Sequence, residues 1–204
     1  MKDLSPRFCI PINMPRPRGA RLIEGFSLKL GRRLQFFSYA TFGVWIDLEA
    51  DPSVSALCER PTRLGSTRTD QIIDFWVRHP DGDEFLMVAQ GDSDAALPCN
   101  IDETPLRCIS AVDRAASAGW TSNWMRMLPV IHATRSAISK STMKSVSHLV
   151  REPTPLAVIE RQFSNGDPTV VRATVFELLR IGQLTAPTLR TEPLSVHTTL
   201  EPIR

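Results

Sequence analysis

The sequence predicts an α/β protein, with a mixed-sheet core in its first half and a mainly helical part behind it. Three observations predict this. "QIIDFWVRHPDGDEFLMVAQ" contains two β-branched and aromatic runs joined by the tight-turn sequence "PDGD", the pattern of a hairpin. A capped helical pattern sits upstream between other strand-like runs. Beyond about residue 110 the apolar residues recur at helical spacing, punctuated by Gly and Pro.

Residues 1 to about 22 are rich in Pro and Arg and show no hydrophobic period, so they predict an extended, mobile basic arm. "FSLKLGRRLQFF" predicts two short strands around a turn at Gly31-Arg32-Arg33. "SYATFGVWIDLEADPSV" predicts a helix, with Ser38 as N-cap, Phe42, Trp45 and Ile46 at helical spacing, and Pro52 as terminator. "SALCERPTRL" predicts a strand interrupted at Pro61, and the 72–90 hairpin follows. "GDSDAALPCNIDETP" is a polar, acidic connector.

The stretch from Ala111 to Val150 predicts helices broken at Gly119 and Pro129. Two more helices flank "SNGDP", with Asp167 as N-cap, Pro168 at the first helical position and Gly182 as C-terminal cap. The final twenty residues fit a short hairpin of the winged-helix kind. The predicted organisation is an arm over 1–22, a core over 23–98 and a C-terminal part over 99–204.

Charge is unevenly spread. From Met1 to Ala50 eight basic residues face four acids, from Asp51 to Ser110 eleven acids face five arginines, and from Ala111 onward eleven basic residues face seven acids. This order fits an acidic centre between phosphate-facing flanks, and equally an uneven solvated surface. Arg16, Arg18 and Arg21 on the arm are candidate phosphate contacts. So are Lys29, Arg32 and Arg33 around the turn, and Arg126, Arg135, Lys140 and Lys144 on the central helices.

Other chemistry is not indicated. Cys9, Cys58, Cys99 and Cys108 have no CxxC spacing, which argues for reduced cytosolic thiols rather than zinc. His79, His132, His148 and His197 form no metal motif, and no phosphate-binding glycine loop or nucleophile elbow occurs. No apolar run approaches the roughly 18 residues of a membrane span. The N-terminus has no signal core, so a cytoplasmic location is expected.

The order strand, strand, helix, strand, loop, strand, turn, strand matches the core of restriction-endonuclease-like folds. "GFSLKLGRRLQFFSYATFGVWIDLEADPSVSALCERP" resembles the TnsA-like transposon endonucleases, which show an S-x-K-x-x-R strand, a short E-S-x-x-E helix and a D-P-x-V segment. "QIIDFWV" resembles that family's x-P-D-F strand. The resemblance covers about residues 25 to 90, under half the chain. A looser likeness to the ends of such proteins lies in "VFELLRIGQLTAPTLRTEPLSVHTTL".

The resemblance implies a metal nuclease centre that cuts one strand at a transposon end. It also implies double-stranded DNA, a transposase or recombinase subunit and an ATPase regulator as partners, at the bacterial nucleoid. The family's helix glutamate falls on Thr41, its strand aspartate on Asp74, its second-strand acid on Val88 and its lysine on Gln90. One group of four survives. Mg²⁺ needs several hard anionic oxygens, so Thr41, Asp74 and Gln90 read as vestiges. Glu84 shares the strand face but lies roughly 20 Å from Gln90 along an extended strand.

The expected function is therefore a non-catalytic subunit of a DNA transposition or recombination complex, with no metal or cofactor. One alternative is an active Mg²⁺-dependent endonuclease that pairs Asp74 with an acid from elsewhere, such as Asp92 or Asp94. The other is a DNA-binding winged-helix regulator.

Overall fold

The computed structural model describes residues 7–89, 98–163 and 167–203. The chain forms two compact units, one of residues 1–45 and 53–115, the other of residues 46–52 and 116–204.

In the first unit, β1 (Ile23–Ser27) and β2 (Arg32–Phe36) form an antiparallel hairpin that is a two-stranded sheet of its own. Gly31 turns it with φ 66°, a conformation glycine adopts without penalty. Helix α1 (Tyr39–Ala50) follows. The Ser38 hydroxyl accepts the Thr41 N–H at 3.1 Å, the expected N-cap. The apolar face of α1 meets the hairpin through Trp45, which stacks on Phe36 with ring centroids 5.3 Å apart. A Cβ at Gly25 would run into the Trp45 ring, so this glycine serves close packing.

The main sheet is mixed, in the order β3 (Ala56–Glu59), β4 (Phe75–His79), β5 (Gly82–Val88), β7 (Thr104–Ile109), β6 (Asn100–Ile101). β3, β4 and β5 run antiparallel, while β5 and β7 are parallel, with Phe85 opposite Leu106 and Val88 opposite Ile109. Phe75, Trp76, Val77, Phe85, Leu86 and Met87 are all buried. Both sheet faces are therefore covered here, and the strands read as unbroken apolar runs rather than alternations. α2 (Ala111–Ala116) follows β7.

Two expectations change here. The stretch expected to be a polar connector contains β6 and the first two residues of β7, and the first unit continues to residue 115, past the expected boundary at 98. β7 exposes Pro105, Arg107 and Cys108 and buries only its ends, Thr104 and Ile109, so its sequence carries no strand period. The arm also differs, because residues 7–22 have no helix or strand yet are docked. Phe8 packs on Trp76 and Phe85, with centroids 5.7 and 5.6 Å away. Ile12 and Arg60 bond reciprocally, Ile12 N–H to the Arg60 carbonyl at 2.8 Å and Arg60 Nε–H to the Ile12 carbonyl at 3.1 Å.

In the second unit, α3 (Ala118–Thr134) runs uninterrupted through Gly119 and Pro129, where breaks are expected. An internal proline costs about 3 kcal/mol. Burial of Trp124, Met127, Leu128 and Ile131 along one face offsets it. Gly119 sits where a Cβ would stand 2.8 Å from the Arg190 carbonyl oxygen. α4 (Lys140–Leu149), β8 (Thr154–Pro155), α5 (Leu156–Phe163), α6 (Thr169–Arg180), β9 (Leu184–Thr185) and β10 (Thr199–Pro202) complete the unit, and the sheet order is β8-β10-β9. α6 begins one residue later than predicted, at Thr169, whose N–H is still taken by the Asp167 carboxylate at 2.8 Å. Gly182 ends it in the left-handed region at φ 69°.

No helix among the described residues is long and apolar enough to cross a membrane.

Candidate functional site

Thr41, Asp74 and Val88 come from three elements and meet at one cavity of ≈ 450 Å³ in the first unit. Thr41 lies in the first turn of α1, Asp74 immediately precedes β4, and Val88 ends β5. One Asp74 carboxylate oxygen accepts the Val88 N–H at 2.7 Å. The Thr41 hydroxyl also bonds to Asp74, and lies 2.9 Å from the Ser38 hydroxyl. Gln90, the fourth expected position, lies outside the described residues, as do Asp92 and Asp94.

Burial pushes the Asp74 carboxyl up to about 6, against the opposing effects of the Val88 N–H, the Arg60 charge and the Thr41 hydroxyl. Desolvation wins because the surroundings supply few full charges to the carboxylate. Apolar groups occupy much of the wall, among them Phe36, Phe37, Ile72 and Val88, with Met14 and Pro17 from the docked N-terminal segment.

Beside this carboxylate lies an ion-pair cluster that the sequence does not announce. Glu59 is buried, and Arg32 grips both its oxygens at 2.7 and 2.6 Å. Arg60 follows in the left-handed region at φ 49°, rare for a side-chain-bearing residue and costly. Its conformation is held from several sides. Its N–H reaches the Asp74 carbonyl at 2.8 Å, its guanidinium donates to the carbonyls of Ile12 and Gln35, and it lies 3.9 Å from Glu59. "ERP" at 59–61 is the only local signal, and three residues do not identify a buried network. Arg63 and Asp70 complete the polar wall, with Arg63 donating to the Asp70 carbonyl at 2.7 Å.

This donor set is poor for phosphodiester hydrolysis. A hard divalent ion takes its affinity from converging carboxylates. Of the three carboxylates on this cavity, Glu59 is gripped by Arg32 and Asp70 accepts the Thr67 N–H, so Asp74 alone stands beside the Ser38 and Thr41 hydroxyls and the Val88 side chain. Among the described residues no group of three or more His, Cys, Asp or Glu is placed to hold a metal ion. Glu84 is engaged elsewhere, bonded by Arg107 at 2.9 and 3.1 Å and 3.2 Å from His79 Nε2. Burial raises its carboxyl, but these partners outweigh burial and hold it below the usual range.

The expected phosphate contacts divide into two groups. Arg18, Arg21 and Arg33 are exposed, and no described residue pairs with their side chains; Arg16 is exposed and donates to the Ala20 carbonyl at 2.7 Å. Lys29 and Arg32 are instead committed to the fold, Lys29 to the Val54 carbonyl at 2.7 Å and Arg32 to Glu59. In the second unit Arg126 lies on α3, Arg135 in a 3-10 turn, and Lys140 and Lys144 on α4, so they do not share one helix. All four are exposed.

α6 has no free basic face. Val171, Ala173 to Phe176, Leu178 and Leu179 are buried. Arg172 is paired with Glu160, and Arg180 with Glu177.

No protein-family model matches the chain, and no curated protein matches it.

Proposed function

We propose that this chain is a non-catalytic, TnsA-like subunit of a DNA transposition or recombination complex, acting on DNA in the bacterial cytoplasm. The observation that carries the reading is the convergence of Thr41, Asp74 and Val88, three positions matched to the family's nuclease centre, on one cavity. Their order along the chain does not require this. A helix, an antiparallel β3-β4-β5 meander and a parallel β7 fit a restriction-endonuclease-like core.

The inactive part of the proposal rests on residue types. Val88 offers no oxygen, Thr41 only a neutral one, and Asp74 is already bonded to a backbone N–H. Losing a single electrostatic stabiliser often costs about 10²–10³ in rate. DNA is held by backbone contacts from Arg16, Arg18, Arg21 and Arg33 on the first unit and Arg126, Arg135, Lys140 and Lys144 on the second.

The succession α4, β8, α5, α6, β9, β10 with sheet order β8-β10-β9 fits a winged helix. In DNA-reading winged helices and their relatives the second helix of the motif enters the major groove. The corresponding α6 is buried and its arginines are neutralised. That favours a docking module for a transposase or recombinase subunit over a free-standing regulator. An ATPase regulator belongs to the same assembly.

The test is a plasmid-nicking assay in Mg²⁺ and in Mn²⁺ beside a duplex-binding titration. Salt-sensitive binding without nicking is expected. Nicking that disappears in Asp74→Ala overturns the non-catalytic reading.

A further inference from the structure

The cavity at Asp74 has the make-up of a small-ligand site. Its volume, ≈ 450 Å³, lies within the roughly 300–1,000 Å³ typical of such sites, which combine apolar walls with a few fixed polar groups. Its apolar lining includes two phenylalanines, Phe36 and Phe37, with Ile72 and Val88, and Met14 and Pro17 lie on the same cavity. Its polar groups near Asp74 are fixed, because the carboxylate is pinned by the Val88 N–H and Thr41 by Ser38.

The guanidinium groups around it already make hydrogen bonds. Arg32 and Arg60 face Glu59, Arg60 also fills two carbonyls, and Arg63 is bonded to the Asp70 carbonyl. A phosphate would meet three carboxylates, Glu59, Asp70 and Asp74, and of the guanidinium groups only that of Arg63 has no carboxylate partner. The carboxylate of Asp74, by contrast, has about four lone-pair sites and keeps acceptor capacity after taking the Val88 N–H and the Thr41 hydroxyl.

We propose that this cavity holds a nucleobase of the guanine class, with Asp74 accepting two adjacent N–H donors of the base edge and the aromatic and aliphatic wall packing its faces. Guanine presents two neighbouring donors on that edge, the imino N–H and the amino group. Adenine and cytosine present one donor beside an acceptor, and thymine one donor between two carbonyls. A carboxylate complements only the first pattern. A site built to bond donors rejects analogues lacking them, because its own polar group is then left unpaired. Protonating Asp74 exchanges one acceptor for a donor and destroys the match. Since burial holds that proton up to a pH of about 6, guanine binding should be present at pH 7.5 and weakened at pH 5.

The base has two sources, a free nucleoside or an unstacked base in a DNA strand. Only the strand source rests on the DNA-binding reading above.

The experiment is ligand-observed NMR on the full chain. Its probes are 2′-deoxyguanosine, N1-methylguanosine, the other three nucleosides, and oligothymidine with and without one central guanine. At pH 7.5 deoxyguanosine should bind at least tenfold tighter than any other nucleoside and than N1-methylguanosine. Asp74→Asn should erase that preference, with its thermal unfolding recorded to show that it is folded. The methylated ligand and the pH 5 titration test the same contact on the unaltered protein.

Guanine-dependent binding of the oligonucleotide alone places the source in a DNA strand and supports the proposal. Equal binding of all bases, or binding unchanged by N1-methylation, overturns it. No base binding by a chain that still binds duplex DNA overturns it and leaves the DNA reading standing. Deoxyguanosine binding by a chain indifferent to DNA upholds it and removes that reading.

Discussion

Asp74 and Val88, fourteen residues apart, are joined by a 2.7 Å bond from a backbone N–H to a carboxylate that burial has made a weak acid. The bond is local to the cavity, but the raised acidity has a consequence for the whole fold. The group's folded value, about 6, lies above its ordinary value of 3.8. Its stabilising contribution is therefore fully present below pH 3.8 and lost as pH rises through 6. Asp74→Asn stays neutral, and its amide oxygen still takes the Val88 N–H. Allowing for the part of the side chain that reaches solvent, the variant should gain about 2 kcal/mol on the wild type between pH 4 and pH 7. Urea unfolding at several pH values measures this; parallel stability curves would contradict it.

Glu59 is the buried member of an ion pair whose other member, Arg32, is half-exposed, with side-chain exposures of 3% and 35%. Removing the acid leaves Arg32 and Arg60 facing an uncompensated pocket. Removing Arg32 leaves Glu59 with Arg60 at 3.9 Å. Glu59→Ala should therefore cost about 3 kcal/mol and Arg32→Ala less, because solvent already screens the guanidinium. A double-mutant cycle by chemical denaturation separates the pair energy from the two single losses. Equal single losses would show that Arg60 does not substitute for Arg32.

The sequence was most legible where one local rule acted alone. The Ser38 cap, the 72–90 hairpin and the Gly182 terminator each rest on one turn or one cap, and each is present, whereas the turn expected at Gly31-Arg32-Arg33 closes at Gly31, with Arg32 and Arg33 already in β2. β7 was illegible because a strand paired on both sides and exposed along its middle needs no apolar period. Pro129 misled because local cost is outweighed by a buried face that only the packed unit supplies. The candidate site divides the same way. Thr41, Asp74 and Val88 are positions that the resemblance singles out, and all three line one cavity. Glu59 and Arg60 act through partners 27 and 48 residues away in sequence, and nothing in their neighbours indicates those partners.

Asn123 on α3 shows how a single buried amide holds the end of a 3-10 turn, Pro187–Arg190, and the chain that follows it. Its side-chain N–H groups reach the carbonyls of Leu189 and Glu192, each at 2.8 Å, and its oxygen accepts the Leu194 N–H at 2.7 Å. Asn123→Ala orphans all three backbone groups at once. Leaving buried groups unpaired costs about 1–3 kcal/mol each, reduced where water reaches them. A loss of about 3 kcal/mol is expected, with faster hydrogen exchange at the Leu194 amide than in α6. Uniform loss of protection across the second unit would instead mean that Asn123 supports the core rather than the 189–194 segment.

The exposed and committed arginines make opposite predictions for DNA. Arg18, Arg21 and Arg33 are exposed and their side chains bond to nothing described, so each can meet a phosphate without breaking a side-chain contact. Arg172 is tied to Glu160 on a helix most of whose residues are buried. On duplex DNA, Ala at Arg18, Arg21 or Arg33 should weaken binding uniformly across sequences. Each should also lower the slope of log affinity against log salt by about 1. Arg172→Ala should leave both quantities unchanged, because its charge never reaches the duplex. Fluorescence anisotropy from low to moderate salt measures the slopes. A slope that falls only for Arg172→Ala would move the DNA contact to α6 and restore the winged-helix regulator as the better reading.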